Sequence, residues 1–169
     1  LVKLVPDPRS THSAADRALQ QKTVMELYAL MERLAFLVDG VTDLRDQARA
    51  RAEQALPDLR KQLTALAAAL EAQRTALVSS KQGEGISGEQ KLREELGVLY
   101  GNVNGHEGRP TRSQISRMGV LTSDLLAAEQ KLDAVTAKDV AAANKALAAK
   151  ALPPLTRLQE AEWRKKGAG

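Results

Sequence analysis

The chain is expected to be all-α: an antiparallel four-helix bundle with a long first helix, a short fifth C-terminal helix and a short extended N-terminal segment. Three observations predict this. Ala supplies 28 of the 169 residues and Leu 25, both strong helix formers. Val, Ile and Thr together supply only 22, and there are four aromatics, Tyr28, Phe36, Tyr100 and Trp163. Sheets are built on β-branched and aromatic residues, so this balance excludes a β-sandwich or a parallel α/β sheet. Finally, leucines recur at alternating steps of three and four, the spacing of a buried helical seam.

The first residues, LVKLVPDPRS, do not share that period. Leu1, Val2, Leu4 and Val5 form an apolar stretch, and Pro6 and Pro8 then forbid helix, so residues 1–12 are expected to be an extended linker or strand stump. The bundle is expected over 13–155. Its first helix is predicted over Ser13–Leu56, with Leu27, Leu30, Leu34, Leu37, Val41, Leu44 and Ala48 as the seam. Met31 and Val38 widen that seam. Pro57 closes the helix and opens the next, where Asp58 suits the positive end.

The second helix carries Leu59, Leu63, Leu66, Leu70 and Leu77, with Gln73 as the polar member, and ends near Ser80. KQGEGISGE, residues 81–89, is the long flexible loop. A third helix is expected over Glu89–Asn104, on Leu92, Leu96, Leu99 and Val103. Thr111 is a candidate N-cap for the fourth, whose seam is Ile115, Met118, Leu121, Leu125, Ala128, Leu132 and Val135. A short fifth helix is expected over Ala137–Ala151, stopped by Pro153 and Pro154. The tail, 156–169, reads as a last helical turn or two, or as frayed chain. The first helix much exceeds the third, so one end of it must overhang or rest on a neighbour.

Charge and chemistry narrow the function. The net charge is +4, with acids interspersed among the bases throughout. A nucleic-acid interface concentrates its basic residues on one face or arm, and a single-strand binder adds aromatic platforms. Neither is visible, so no nucleic-acid partner is expected. The absence of Cys excludes disulfides, thiolate metal sites and cysteine nucleophiles. No run of 18 apolar residues exists, so no membrane span is expected. Leu1 follows no Met and no signal sequence, and the chain is expected to be processed or cut from something longer.

Catalytic inventories come up short. A di-iron bundle needs Glu-x-x-His pairs facing inward, whereas His12 and His106 both fall in predicted connections. Asp39, Asp43 and Asp46 share one face of the first helix, with Arg45 and Arg49 at hand to pair with them. No Gly-x-Ser-x-Gly elbow or phosphate-binding loop is present. No catalytic residue, metal or cofactor is therefore expected. Gly97, Gly101 and Gly105 stand four apart on the third helix, which predicts close helix approach, or else a groove for a partner segment, with Gly105 a C-cap. Trp163 with Arg164, Lys165 and Lys166 reads as a solvated tail or as a contact for a membrane or partner.

Three stretches together resemble a known family: VPDPRSTHSAAD at 5–16, LREELGVLYGNVNGHEGRPT at 92–111 and LDAVTAKDVAAANKALAAKALPPL at 132–155. Their order is similar to the C-terminal helical region of bacterial exported proteins with BNR repeats, labelled sortilin-like or glycosyl-hydrolase-like. Asp7, Pro8 and Arg9 match its Asp-Pro-Arg exit from a β-domain. Leu96, Leu99, Tyr100, Gly101 and Val103 match its helix before a turn, and Arg109, Pro110 and Thr111 match the turn. Asn144, Leu147 and Pro153 match its closing helix.

That resemblance implies a periplasmic or extracellular module, detached from a β-propeller that would own any hydrolase label. Its partners would be the β-domains of the same parent protein, and the matched residues would act as joints, Arg9 pairing with a carboxylate on the bundle. The leading expectation is thus a non-catalytic helical accessory domain serving domain packing or assembly, with self-association through the first helix as a secondary one. The alternative is a stand-alone binding module for a peptide, an envelope component or a polyanion.

Overall fold

Ser13 opens the first helix by chemistry written into the sequence. In the computed structural model, which describes Val5, residues 9–79 and residues 90–167, α1 spans Ala14–Gln54. The Ser13 hydroxyl accepts the Asp16 N–H at 3.1 Å, and the Asp16 carboxylate accepts the Ser13 N–H at 3.1 Å. This capping box satisfies donors that a helix start leaves unpaired. The Ser13 hydroxyl also donates to the Asp16 carboxylate at 2.6 Å, and this bond, then the one from the Ser13 N–H, helped by the nearby Arg109, holds that carboxyl below its usual pKa. Along α1 the seam residues Leu27, Leu30, Leu34, Leu37, Val41, Leu44 and Ala48 are all buried, as their spacing predicts.

The turn after α1 is tight. Ala55 is buried and Leu56 exposed, and α2 then spans Pro57–Leu77. Arg60 reaches back and donates to the Ala52 and Ala55 carbonyls, at 3.2 and 3.1 Å, closing the last turn of α1. Next come α3, Leu92–Asn104, and α4, Arg112–Val135, the latter capped by Thr111 and Gln114 in a second capping box. The expected loop at 81–89 lies outside the described residues, as do residues 1–4 and 6–8 of the expected extended segment. Among the described residues there is no strand.

The fifth helix differs from expectation. α5, Ala141–Ala148, continues α4 without a break, through a π-helical turn at Thr136–Val140. No Gly or Pro falls between 133 and 148 to stop the helix. Leu132 and Val140 are eight residues apart, a step that would rotate an ordinary α-helix about 80° off its seam. The wider π turn absorbs the extra residue, so Leu132, Val140, Ala143 and Leu147 all stay buried. After α5 the chain turns at Ala151, whose φ of 54° lies in the left-handed region: Leu152 N–H returns to the Leu147 carbonyl and Ala151 N–H to that of Ala148.

Cross-links between helices give their directions. Arg45 on α1 pairs with Glu71 on α2, while Gln20, nearer the start of α1, binds the Val103 carbonyl at the end of α3. Arg109 faces Asp16, and farther along Arg33 pairs with Glu129 on α4. So α2 and α3 run in one direction along successive parts of α1, and α4–α5 runs back beside them. The 21 residues of α2 and the 13 of α3 together nearly match the 41 of α1. The inequality of helix lengths is resolved by this end-to-end placement.

Leu27, Leu44, Leu63, Leu70, Leu96, Leu121, Leu125, Leu132 and Leu147 fill the interior. Each such side chain, fully buried, contributes roughly 1.5–3 kcal/mol. At the edge of this core Glu71 accepts from Arg74 at 2.8 Å as well as from Arg45. The bonds from Arg74, then those from Arg45, hold its carboxyl at about 2, against an ordinary value of 4.5. A depressed carboxyl stabilises the fold above its unfolded pKa, and that stability is lost as pH falls through the folded value. Glu71 is 29% exposed, so solvent screening reduces the contribution to about 1 kcal/mol. Glu71→Gln is expected to lower stability by about that much at pH 7 and to lessen the loss between pH 4.5 and 2. Urea midpoints at pH 7, 4 and 2.5 check it.

Candidate functional site

Of the residues singled out from the sequence, Arg109 falls at a joint near the start of α1 and Trp163 at a cleft along α1. Gln20 organises the joint. Its Nε2 donates to the Val103 carbonyl at 2.8 Å and also to that of His106, while its Oε1 accepts the Gly108 N–H at 3.1 Å. One amide therefore ties the end of α3 to the middle of the turn that leads to α4. Gln20 was invisible to sequence reasoning, because all three partners lie more than 80 residues away.

The entering chain is fastened to the same turn. Ser10 donates to Glu107 at 3.0 Å, and the His12 N–H donates to Ser10 at 3.3 Å. Arg17 donates to the His12 carbonyl at 2.6 Å and stands 3.8 Å from Glu107. The His12 ring covers Gly108, whose φ of +136° is a conformation that only glycine adopts without strain. Arg109 is exposed and lies 3.7 Å from Asp16, while Pro110 is buried. Arg9 sits in an exposed turn, and Asp7 lies outside the described residues. At the other end of the molecule, Asn144 exchanges two hydrogen bonds with the Leu155 backbone, at 2.9 and 2.7 Å. Arg51 there donates to the Pro153 carbonyl at 3.0 Å.

Gly97 and Gly101 do not bring helices together. An added Cβ at either position would meet no neighbouring atom within 4 Å. Gly101 is exposed, and Gly105 takes the C-cap, donating its N–H to the Gly101 carbonyl at 2.8 Å. With open space above them, Gly97→Ala and Gly101→Ala are each expected to raise stability by about 1 kcal/mol through helix propensity alone. Gly101→Leu is expected to leave the fold intact. Thermal melts of the three variants check this, and a drop in melting temperature would restore the packing role.

The tail is a docked element. α6, Glu160–Gly167, lies across α1: the Trp163 ring centroid is 5.5 Å from that of Phe36, and its Nε1 donates to Asp39 at 2.7 Å. Arg164 bonds Glu32 at 2.6 Å and Glu160 at 2.8 Å. Between α6 and α1 opens a cleft of about 890 Å³, lined by Tyr28, Glu32, Asp39, Asp43, Asp46 and Trp163 among others. The acidic row predicted on one helix face is thus present, and each carboxylate has a partner. Asp39 accepts from Trp163, Asp43 from Gln47 at 2.7 Å and Asp46 from Arg45 at 2.8 Å.

Chemically, both places consist of amides, guanidinium groups and carboxylates that tie chain segments together. Among the described residues, no three or more His, Cys, Asp or Glu side chains converge as a metal site. No helix there is long and apolar enough to cross a membrane. Comparison with known proteins finds no matching family, no matching curated protein and no matching solved structure.

Proposed function

We propose that this chain is a non-catalytic helical accessory domain of a larger exported β-propeller protein, a bundle of four principal helices that packs beside or links the β-domains of its parent. The observation that carries the reading is the Gln20-centred joint. It draws together two of the three stretches on which the resemblance rests, 5–16 and 92–111, and it fastens the chain at Ser10 and His12 to the turn at 105–111. A joint of this kind would fix the orientation of the entering segment, because Arg17 of α1 holds the His12 carbonyl and Glu107 of the turn holds the Ser10 hydroxyl. The third stretch, 132–155, is likewise fastened at its end by Asn144 and Arg51.

The reading frame upstream of Leu1 tests the context. Propeller repeats followed by a small β-domain are expected there, and a start codon in their place would overturn it. Deleting 13–155 from the parent protein tests the role. The propeller is expected to keep its turnover per folded molecule while its domain packing or assembly changes. A fall in turnover with folding and assembly preserved would refute a purely structural part.

The open face over Gly97 and Gly101 favours a second reading, a stand-alone module that grips a peptide, an envelope component or a polyanion. Gly101→Leu separates the two, since a binding groove would lose its ligand while stability holds.

A further inference from the structure

Asparagine followed by glycine is a chemically unstable pair, and it occurs once in this chain, at Asn104–Gly105. The backbone nitrogen of a glycine can attack the preceding side-chain amide because no Cβ stands in the way. Asn104 is the last residue of α3 and is exposed, and Gly105 is its C-cap. The other two asparagines are shielded. Asn102 precedes Val103, which is β-branched and buried, and the Asn144 amide is committed to the Leu155 backbone. The related pair Asp39–Gly40 lies in the middle of α1, with Gly40 buried.

Asn104–Gly105 sits inside the joint. Gln20 Nε2 donates to the Val103 carbonyl on one side of the pair and to the His106 carbonyl on the other, and Gln20 Oε1 holds the Gly108 N–H. The attacking group is itself tied, since the Gly105 N–H donates to the Gly101 carbonyl at 2.8 Å. Ring closure needs the Gly105 nitrogen nearly eclipsed with the Asn104 Cβ about the Cα–C bond, and a helical ψ does not provide that. While the last turn of α3 holds, the pair is inert. That turn contains Gly101, Asn102 and Asn104, all poor helix formers, and a helix end opens locally at far lower cost than the whole fold.

We propose that Asn104 is a self-modification site, and that its conversion to isoaspartate releases the joint. When the turn opens, the deprotonated Gly105 nitrogen bonds to Asn104 Cγ, the Cγ–Nδ2 bond breaks, and ammonia leaves, taking up the proton. Water then opens the five-membered imide at either carbonyl, giving aspartate or isoaspartate at position 104. One water is consumed and one ammonia released. In isoaspartate the main chain runs through Cβ, so it is one atom longer between the two carbonyls that a single Gln20 amide grips. The new carboxylate also stands at the negative end of α3, where the helix dipole disfavours it. Gln20 then loses its fit to all three partners, and the turn that holds Ser10 through Glu107 slackens with it.

Peptide mapping of the full chain stored at pH 8 and 37 °C tests the site, with the urea-unfolded chain as the reference for an unrestrained rate. Aspartate and isoaspartate are expected at position 104 and not at 102 or 144, at least tenfold more slowly than in the unfolded chain. Hydrogen exchange of the Gly108 amide tests the release. In the isoaspartate fraction it is expected to quicken at least tenfold, and in Asn104→Gln stored in the same way it should stay as in fresh protein. No product at 104 in the folded chain once the unfolded chain has converted would overturn the site. Isoaspartate at 104 with Gly108 exchange unchanged would overturn the release of the joint.

Discussion

Replacing Gly108 by Ala is expected to destabilise the chain by about 2 kcal/mol, the scale of one residue held in a disfavoured backbone conformation. Two causes add. At φ +136° a side chain is strained whatever surrounds it, and the new Cβ would lie 2.5 Å from His12 Cε1. They can be separated, because the imidazole is the movable end of a side chain whereas the backbone angle is fixed by the turn. In a His12→Ala background the clash disappears and the strain stays, so Gly108→Ala should still cost more than 1 kcal/mol there. Urea unfolding of the four proteins in this cycle measures both parts. A single variant within 0.5 kcal/mol of wild type would mean that the turn at 105–111 is free to relax, and the rigid joint would be lost as an explanation.

Gln73→Leu is expected to stabilise the fold by about 1–2 kcal/mol. Gln73 occupies a seam position on α2 and is 3% exposed. Its Nε2 donates to the Ala128 carbonyl at 3.1 Å, but its Oε1 has no partner. A buried acceptor left unpaired costs about 1–3 kcal/mol, and leucine of similar volume removes that cost while adding apolar contact. The lost hydrogen bond offsets part of the gain, about 1 kcal/mol. Chemical denaturation of the variant gives the sign directly. A destabilised Gln73→Leu would place a partner on Oε1 and make this amide a net contributor. A polar residue in a leucine seam also sets how α2 meets α4, so the variant's backbone spectrum should be checked for a second arrangement.

Much of the fold was legible. The leucine seams, the Thr111 cap and the break at Pro57 depend on neighbours within one or two turns and stand where the sequence predicts, but Ile115, expected on the α4 seam, is 38% exposed. The fifth helix was less legible. A π turn leaves no residue signature: nothing in Thr136–Val140 departs from ordinary helix formers, and the turn exists to bring Val140, Ala143 and Leu147 back onto the core. The glycine row misled for a related reason. Spacing by four places Gly97 and Gly101 on one helix face but does not say whether that face meets a neighbour or water.

The candidate sites were the least legible part. Arg109 and Trp163 were marked from the sequence, yet the residues that hold them in context, Gln20, His12, Phe36 and Asp39, carry no motif. Trp163 reads first as part of a solvated tail, and its meeting with Phe36 depends on the path of residues 152–159 over the surface.

By itself the sequence determined that this chain is helical, where most of its helices begin and end, and which side of each is apolar, because those properties arise from contacts only a few residues apart. Tertiary structure alone decided that α2 and α3 share α1 end to end, that one glutamine closes the joint, and that the tail lies down as a strap. The contacts of the joint and the strap join residues 83 to 124 positions apart. Their geometry is set by how rods of unequal length fill a common core, which no local pattern encodes.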